Sequence, residues 1–179
     1  MPAISLPTLG GGDLTLRPPR PADAGAVTAA CQDPEIPRWT LVPSPYRREH
    51  AEDFLALSAR AARAGETATL LAVDSQGGLL GSFSLMEIDH ERGYGEIGYW
   101  TAAAARGRGA ASRAVALLRD WAHAELGLSE LEILAHRDNR PSQRVAERAG
   151  FAGTGELRAV ARMPPGRREG YRVYVWRAG

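Results

Sequence analysis

Lysine is missing from this 179-residue chain, and all 22 of its basic side chains are arginines. An arginine guanidinium keeps its proton at any working pH, so these side chains can form no Schiff base and cannot act as a general base. The single cysteine, Cys31, excludes an internal disulfide and a metal site built from several cysteines. It has no basic neighbour in the sequence, so we expect a small core residue.

Long apolar runs are missing as well. No stretch of about 18 apolar residues occurs, and the first residues lack the basic and apolar segments of a secretion signal. We therefore predict a cytoplasmic protein that does not cross a membrane and that forms one domain over residues 1–179. The four histidines show no ligand spacing, so no metal site is predicted.

Charge is divided unequally between the two parts of the chain. Acidic residues outnumber arginines over residues 1–100, and arginines outnumber acidic residues over residues 101–179. A basic carboxyl-terminal part fits a polyanionic ligand, and an acidic amino-terminal part fits a cationic substrate. The charge balance alone leaves nucleic acid open. However, the arginines are not gathered into a run with interleaved aromatics, so we expect no nucleic-acid partner.

One stretch, residues 94–124, organises the rest of the chain. Residues 94–101 are rich in β-branched and aromatic side chains and predict a strand, whereas the apolar spacing of residues 110–124 predicts a helix. Between them, residues 106–111 read RGRGAA. Glycines let a ligand come close, the first amides of a helix have no internal partner, and arginines suit phosphate oxygens. One interpretation is a phosphate-binding turn, and the other is a tight turn without a ligand.

Further strands and helices alternate along the chain. Strands are predicted over residues 14–17, 67–75, 79–88, 130–135, 151–157 and 170–176, and helices over 24–32, 47–63 and 143–149. Four prolines predict a non-helical loop between the first two helices, and residues 162–169 predict another loop. Phe54, Leu57 and Ala61 should face the core. A helix joins the strands at 94 and 130, so these two should be parallel. The expected fold class is a mixed α/β sheet covered by helices.

Two motifs carry a family resemblance. Arg106, Gly109 and Ala111 match the pattern Arg/Gln-x-x-Gly-x-Gly/Ala, and residues 138–151 read DNRPSQRVAERAGF. With the order of elements, these motifs resemble the GCN5-related N-acetyltransferases (GNAT), and in particular their RimJ/RimL branch, over essentially the whole chain. The resemblance implies the GNAT fold, a central and mostly antiparallel sheet in which one parallel strand pair splays apart, flanked by helices.

The same resemblance implies a co-substrate and an acceptor. The co-substrate would be acetyl-CoA, with another acyl-CoA left open, and its pantetheine arm would lie between the splayed strands. The acceptor would be an amine, either a protein amino terminus or a small molecule; a homodimer is among the oligomeric states left open. The cofactor-binding residues would be Trp100, Thr101, Arg106, Gly107, Arg108, Gly109, Ala110, Ala111, Ser112, Asn139 and Ser142.

Two residues are candidates for catalysis. An amine attacks a thioester only in its neutral form, so a general base is useful. Glu96 is the first candidate because it shares a strand face with Gly98 and Trp100, although it could also be a solvated glutamate or the partner of an arginine. The family resemblance implies that Ser142 lies near the cofactor sulfur and donates to the leaving thiolate; the alternative is that it caps the helix at Gln143.

Two aromatic residues are, in addition to Glu96, candidates for substrate binding. Trp39 and Tyr46 lie in the proline-rich segment, where a large ring is either a core plug or the wall of a pocket. Glu87 and His136 are further candidates for the base. Two functions follow: an acyl-CoA-dependent N-acetyltransferase, and a CoA-binding module without catalysis.

Overall fold

The computed structural model of the chain describes residues 3–163 and 166–179. Pro164 and Pro165, in the loop expected over residues 162–169, lie outside the described residues. The strands are β1 (Leu9–Gly11), β2 (Leu14–Arg17), β3 (Ala68–Val73), β4 (Leu79–Asp89), β5 (Tyr94–Thr101), β6 (Glu130–His136), β7 (Ala152–Arg158) and β8 (Tyr171–Arg177). The helices are α1 (Ala24–Ala30), α2 (Glu35–Trp39), α3 (Arg48–Ala64), α4 (Ala110–Leu126) and α5 (Arg140–Arg148).

The short helix α2 contradicts the prediction of a non-helical loop. Its prolines stand at the positions where a helix tolerates them. Pro34 is the N-cap and Pro37 is the third helical residue, whose N–H would have no acceptor within the helix. The four prolines of this segment therefore did not exclude a short helix. The edge strand β1 was also not predicted, since its three residues, LGG, carry no strand pattern.

The strands form one eight-stranded sheet in the order β1-β2-β3-β4-β5-β6-β8-β7. All neighbouring pairs run antiparallel except β5 and β6, which are parallel and are connected by α4. The prediction of a mixed, mostly antiparallel sheet with one parallel pair is confirmed. The parallel pair lies inside the sheet, with antiparallel strands on both sides.

Hydrophobic side chains cover both faces of the sheet. β3 is buried along its whole length, with Leu70 in the cluster under α4 and Leu71 in the cluster under α1 and α3. Cys31 belongs to the second cluster at 3% exposure, as expected, and burial raises the pKa of its thiol to about 12. The sheet is therefore packed on both faces at β3, which β4 separates from the parallel pair.

The core-facing side of helix α3 was predicted only in part: Phe54 is partly buried against the cluster under α1 and α3, and Ala61 is partly buried. Leu57, predicted to face inward, is 54% exposed, and the buried face carries Ala51, Leu55, Ser58 and Ala62. Three of these four side chains are small, so a pattern search weighted toward large apolar residues selected the neighbouring stripe. Gly65 ends the helix with φ 76°, as predicted.

Candidate active site

The parallel strands β5 and β6 separate halfway along their length. Their pairing covers only residues 94–96 of β5 and 130–132 of β6. Beyond that point β5 stays paired with β4 as far as Thr101, and β6 stays paired with β8 as far as His136. The two facing backbone edges therefore diverge and leave their N–H and C=O groups directed into a gap.

A cavity of about 400 Å³ occupies this gap. Its walls are the two diverging edges, the turn into α4, one side of α5 and the helix α2. The lining residues from the strands are Ile97, Gly98, Tyr99, Trp100, Thr101, Ile133, Leu134, Ala135, His136 and Tyr171. An extended chain that carries amide groups could pair with both edges as a further strand would.

The turn into α4 opens onto the same cavity. Gly107 and Gly109 have φ values of 75° and 74°, which a residue with a side chain adopts only under strain. The series of α4 hydrogen bonds begins with Arg113 N, which donates to Gly109 O at 3.2 Å. The amide groups of residues 110–112 precede that bond and lie at the positive end of the helix dipole. Gly107, Gly109, Ala110, Ala111 and Ser112 all line the cavity, so the turn has the form of an anion site.

The two arginines of the turn differ in their position relative to the cavity. Arg106 lines the cavity, but its guanidinium lies 2.6 Å from an Asp33 carboxylate oxygen and also donates to Thr101 O at 3.0 Å. Arg108 is exposed and is absent from the lining within the described residues. The guanidinium of Arg106 therefore holds the turn against the segment before α2, and its charge is directed at Asp33 more than at the cavity.

Two arginines that the sequence analysis missed line the cavity from α5. Arg144 and Arg148 of α5 line the cavity together with Pro141 and Val145. These four residues follow the helical spacing i, i+3, i+4, i+7, which is the signal that could have found them. They place two positive side chains on the part of the cavity wall that α5 forms.

Asn139 and Ser142 lie side by side at the start of α5. Asn139 is the N-cap, and its Oδ1 accepts a hydrogen bond from Ser142 N at 3.2 Å. Ser142 is therefore not the cap, which excludes the alternative of a helix from Gln143. That helix start was predicted three residues too late because Pro141 fits within the first turn. Both Asn139 and Ser142 line the cavity.

Trp39 and Tyr46 have different surroundings. Trp39, the last residue of α2, lines the cavity, and its ring centroid lies 5.5 Å from that of His136. Its Nε1 donates to Glu35 Oε2 at 3.1 Å, which fixes the ring.

Tyr46 is 8% exposed and belongs to the hydrophobic cluster under α1 and α3, together with Val27 and Leu55. Burial raises its pKa to about 12. Of the two alternatives, Trp39 is a pocket wall and Tyr46 is a core plug, so the interpretation of Tyr46 as a substrate-binding residue is corrected.

Glu96 is buried at 4% exposure near the point where the strands separate. It shares its strand face with Gly98, about 7 Å farther along β5, but within the described residues the cavity lining does not include it. Its Oε1 accepts a hydrogen bond from Arg162 Nη2. Burial raises the pKa of the Glu96 carboxyl, while the charge and the hydrogen bond of Arg162 oppose that rise.

The two reserve candidates for the base also differ. Glu87 is exposed and occupies a left-handed conformation, φ 50°, at the irregularity in β4. His136 lines the cavity, and its Nδ1 accepts the Asp138 N–H at 3.2 Å. A neutral His136 in that arrangement carries its hydrogen on Nε2.

Comparison with known proteins decides the family. A family model described as an acetyltransferase (GNAT) domain matches residues 13–152. The chain belongs to the GNAT acetyltransferases. The GNAT fold predicted from the sequence is confirmed, and the gap between β5 and β6 is the splayed pair of that prediction.

Relatives of this GNAT chain include YdaF of Bacillus subtilis (strain 168), whose name proposes a ribosomal N-acetyltransferase. It is 38% identical over 82 residues, which span 46% of this chain and 45% of YdaF. Mycobacterium smegmatis RimJ, solved in complex with CoA-disulfide, has a TM-score of 0.86 at 21% identity and covers 99% of this chain and 90% of its own.

Spermidine N-acetyltransferase from Vibrio cholerae, solved with CoA and spermine, has a TM-score of 0.75 at 20% identity, over 92% of this chain and 95% of its own. At these identities the two structures establish the shared fold. Within the described residues of this GNAT chain, the helices are too short or too polar to traverse a bilayer.

Proposed function

We propose that this protein transfers the acetyl group of acetyl-CoA to a primary amine, either a protein or peptide amino terminus or a small-molecule amine. The observation that carries the proposal is the parting of β5 and β6 after residues 96 and 132, with a cavity of about 400 Å³ in the gap. Membership in the GNAT acetyltransferases supports it.

The residues present fit acetyl-CoA. Pantetheine is an extended chain with two amide groups, and the diverging backbone edges of β5 and β6 offer it donors and acceptors. The amides of residues 110–112, the two glycines before them and the α4 dipole would receive the pyrophosphate. Arg144 and Arg148 of α5, which also line the cavity, would supply the positive charge that Arg106 directs toward Asp33.

The chain's own residues would then assist the transfer, in which one bond forms and one bond breaks. The amine nitrogen forms a bond to the acetyl carbon while the bond from that carbon to sulfur breaks, and acetyl-CoA supplies the activated acyl group. Glu96 would accept the proton that the nitrogen loses, directly or through water. Ser142 would donate a hydrogen bond to the departing sulfur, and Asn139 would hold the start of α5 in place.

The acceptor would enter beside Trp39. This part of the cavity is lined by the rings of Trp39, His136 and Tyr171. The centroid of the His136 ring lies 5.5 Å from that of Trp39 and 5.3 Å from that of Tyr171. Aromatic faces attract an ammonium group and also reduce its contact with water, which favours loss of the proton. Glu35, beside Trp39, places a carboxylate at the same wall.

A thiol-release assay tests the proposal. The purified protein is incubated with acetyl-CoA and a panel of peptides with free amino termini, polyamines and monoamines, and free CoA thiol is measured against a control without acceptor. The expected result is acceptor-dependent thiol release together with an acetylated product of the expected mass. Absence of turnover with every acceptor and every acyl-CoA tried would contradict the proposal.

One observation favours a second candidate, a CoA-binding module without catalysis. The Glu96 carboxylate is already engaged with Arg162 and lies outside the cavity lining among the described residues. Such a module would gain thermal stability from CoA while Glu96→Gln and Ser142→Ala changed nothing measurable. Loss of turnover in either variant would rule the module out.

A further inference from the structure

A tyrosine that no motif singled out reaches across the gap to Ser142. Tyr99 lies on the diverging half of β5, and its hydroxyl is 2.9 Å from Ser142 Oγ and 3.3 Å from Ser142 O, on α5. Its ring stacks on Phe83, the residue paired with it on β4, at 5.5 Å and 13°. Both Tyr99 and Ser142 line the cavity.

Which of the two hydroxyl groups donates the hydrogen bond decides whether Ser142 keeps a hydrogen for a ligand in the cavity. The Ser142 hydroxyl has one hydrogen. If Ser142 donates it to Tyr99, none remains for a ligand in the cavity. If Tyr99 donates instead, to Oγ at 2.9 Å and in part to the carbonyl at 3.3 Å, the Ser142 hydrogen is free to turn into the cavity.

The surroundings of Tyr99 favour the second arrangement. Burial raises the pKa of the Tyr99 phenol well above its ordinary value, so the hydroxyl keeps its hydrogen across the working pH range and remains a donor. A phenol is also a stronger hydrogen-bond donor than an aliphatic hydroxyl, and a hydroxyl that accepts one hydrogen bond becomes a better donor itself.

We propose that Tyr99 is a positioning residue for acetyl transfer: its hydroxyl donates to Ser142 Oγ and aims the Ser142 hydrogen at the cavity. This inference rests on the proposed function, because the aimed hydrogen would meet the departing sulfur. No proton is transferred within the pair. Both hydroxyl groups keep their hydrogens, and Ser142 stabilises the charge that develops on sulfur as the bond to the acetyl carbon breaks.

A first experiment tests the hydrogen bond without any acyl donor. Ser142→Cys places a thiol at the acceptor position, and its alkylation rate by iodoacetamide is followed from pH 6 to pH 11. The native Cys31 is 3% exposed with a pKa raised to about 12, so it adds little background. A donor stabilises a thiolate, so adding Tyr99→Phe should raise the pKa of the introduced thiol by about one unit.

The matched control is Tyr174→Phe. Tyr174 also contacts α5 through its hydroxyl, which donates to Glu147 Oε1 at 3.5 Å, and it does not line the cavity among the described residues. This control should leave the thiol pKa unchanged. No shift with Tyr99→Phe, or an equal shift with the control, would overturn the proposal. If Tyr99→Phe does not fold, 3-fluorotyrosine at position 99 provides the opposite test: as a stronger donor it should lower the thiol pKa, and an unchanged pKa would overturn the proposal.

A second experiment uses the native Ser142 and the transfer reaction. Tyr99→Phe should lower kcat by about 3- to 10-fold, the worth of one hydrogen bond, with the KM for acetyl-CoA unchanged. In a Ser142→Ala background the same change should have no effect, because the group that Tyr99 positions is gone. A thioester with a more acidic thiol should also reduce the effect, since its sulfur needs less stabilisation.

The results separate this inference from the proposed function. If the wild-type protein acetylates no amine, the proposed function fails, and the role of Tyr99 in transfer fails with it, whatever the thiol titration reports about the hydrogen bond. If the wild-type protein is active and Tyr99→Phe raises kcat or leaves it unchanged, only the role of Tyr99 is overturned. An equal loss in the presence and absence of Ser142→Ala would assign Tyr99 a purely structural role and also overturn the proposal.

Discussion

The turn into α4 and the region around β5 differ in what orients their polar groups. In the turn, the groups directed at the cavity are backbone amides, placed by the conformations of Gly107 and Gly109 within a few residues of chain. Around β5, side chains from distant segments orient one another. Tyr99, in the cavity wall, contacts Ser142, 43 residues away in sequence, and Glu96, outside the cavity lining among the described residues, is held by Arg162, 66 residues away.

This difference explains why the two regions respond differently to change. Backbone amides are insensitive to most substitutions, whereas a carboxylate or a hydroxyl oriented by one partner depends on that partner. The turn into α4 should therefore tolerate single substitutions outside its glycines, and the groups around β5 should respond to changes far away in the sequence. The following substitutions test that contrast, beginning with the largest expected effect.

The two aromatic residues near α2 should separate stability from binding. Tyr46 is 8% exposed within a hydrophobic cluster, so Tyr46→Ala should reduce the free energy of unfolding by about 3–5 kcal/mol. Trp39 is half-buried in the cavity wall, so Trp39→Ala should cost less stability and should raise the KM for the amine while the KM for acetyl-CoA stays unchanged. Urea unfolding and steady-state kinetics measure the two quantities.

Tyr46→Phe is the matched control for the first substitution, because it keeps the buried ring. It should leave both KM values unchanged. If Tyr46→Phe raised the KM for the amine, or if Trp39→Ala left it unchanged, the assignment of Trp39 to the pocket and Tyr46 to the core would be reversed.

Glu96 and Arg162 should control the rate and its dependence on pH. If Glu96 is the base, Glu96→Gln should lower kcat/KM for the amine by about 100-fold. The charge and the hydrogen bond of Arg162 lower the pKa of Glu96 against the effect of burial, so Arg162→Ala should raise that pKa. The acid limb of kcat/KM should then move to higher pH. A rate profile measured from pH 5 to pH 9 checks both expectations, and an acid limb that persists in Glu96→Gln would assign it to another group.

Local features of the fold could be predicted from the sequence. The strand β5 was predicted at its observed bounds, and the turn of Gly107 and Gly109 was identified as a helix start, because each depends on residues that are adjacent in the chain. The parallel pairing of β5 and β6 followed from the helix between them. The edge strand β1 was missed because its residues carry no periodic pattern, and the helix α2 was missed because its prolines predicted a loop.

The partners of individual side chains could not be predicted. No spacing in the sequence indicates that Arg106 lies against Asp33, that Arg162 engages Glu96, or that Tyr46 enters the core while Trp39 does not. These contacts depend on how α2 and the segment after β7 fold back over the sheet. Sequence motifs located the site, and tertiary packing decided which of its charged groups face the cavity.

The arginines of α5 and the exposed Arg108 of the turn should differ in their effect on cofactor binding. Arg144 and Arg148 line the cavity, whereas Arg108 is exposed outside it among the described residues. A charge-assisted hydrogen bond to phosphate contributes roughly 1.5–3 kcal/mol, so Arg148→Ala or Arg144→Ala should raise the Kd for CoA by about 10-fold.

Arg108→Ala is the control and should change the Kd for CoA by less than about 2-fold. Calorimetry at two salt concentrations measures the constants, and the losses for the α5 variants should shrink at high salt. A loss confined to Arg108→Ala would restore the original assignment of phosphate binding to the arginines of the turn.

The smallest expected effect is a pH-dependent change in stability at Glu96. Burial raises the pKa of this carboxyl in the folded protein above its value in the unfolded chain. Between those two pKa values the folded state binds more protons, so the contribution of Glu96 to stability is lost as pH rises through the folded pKa. Glu96→Gln has no such titration. The melting temperature of Glu96→Gln minus that of the wild-type protein should therefore increase from pH 4 to pH 8. The exposed substitution Glu52→Gln, on α3, serves as the baseline. A relative melting temperature that fell with pH would mean that Arg162 outweighs burial and that Glu96 is ionised throughout that range.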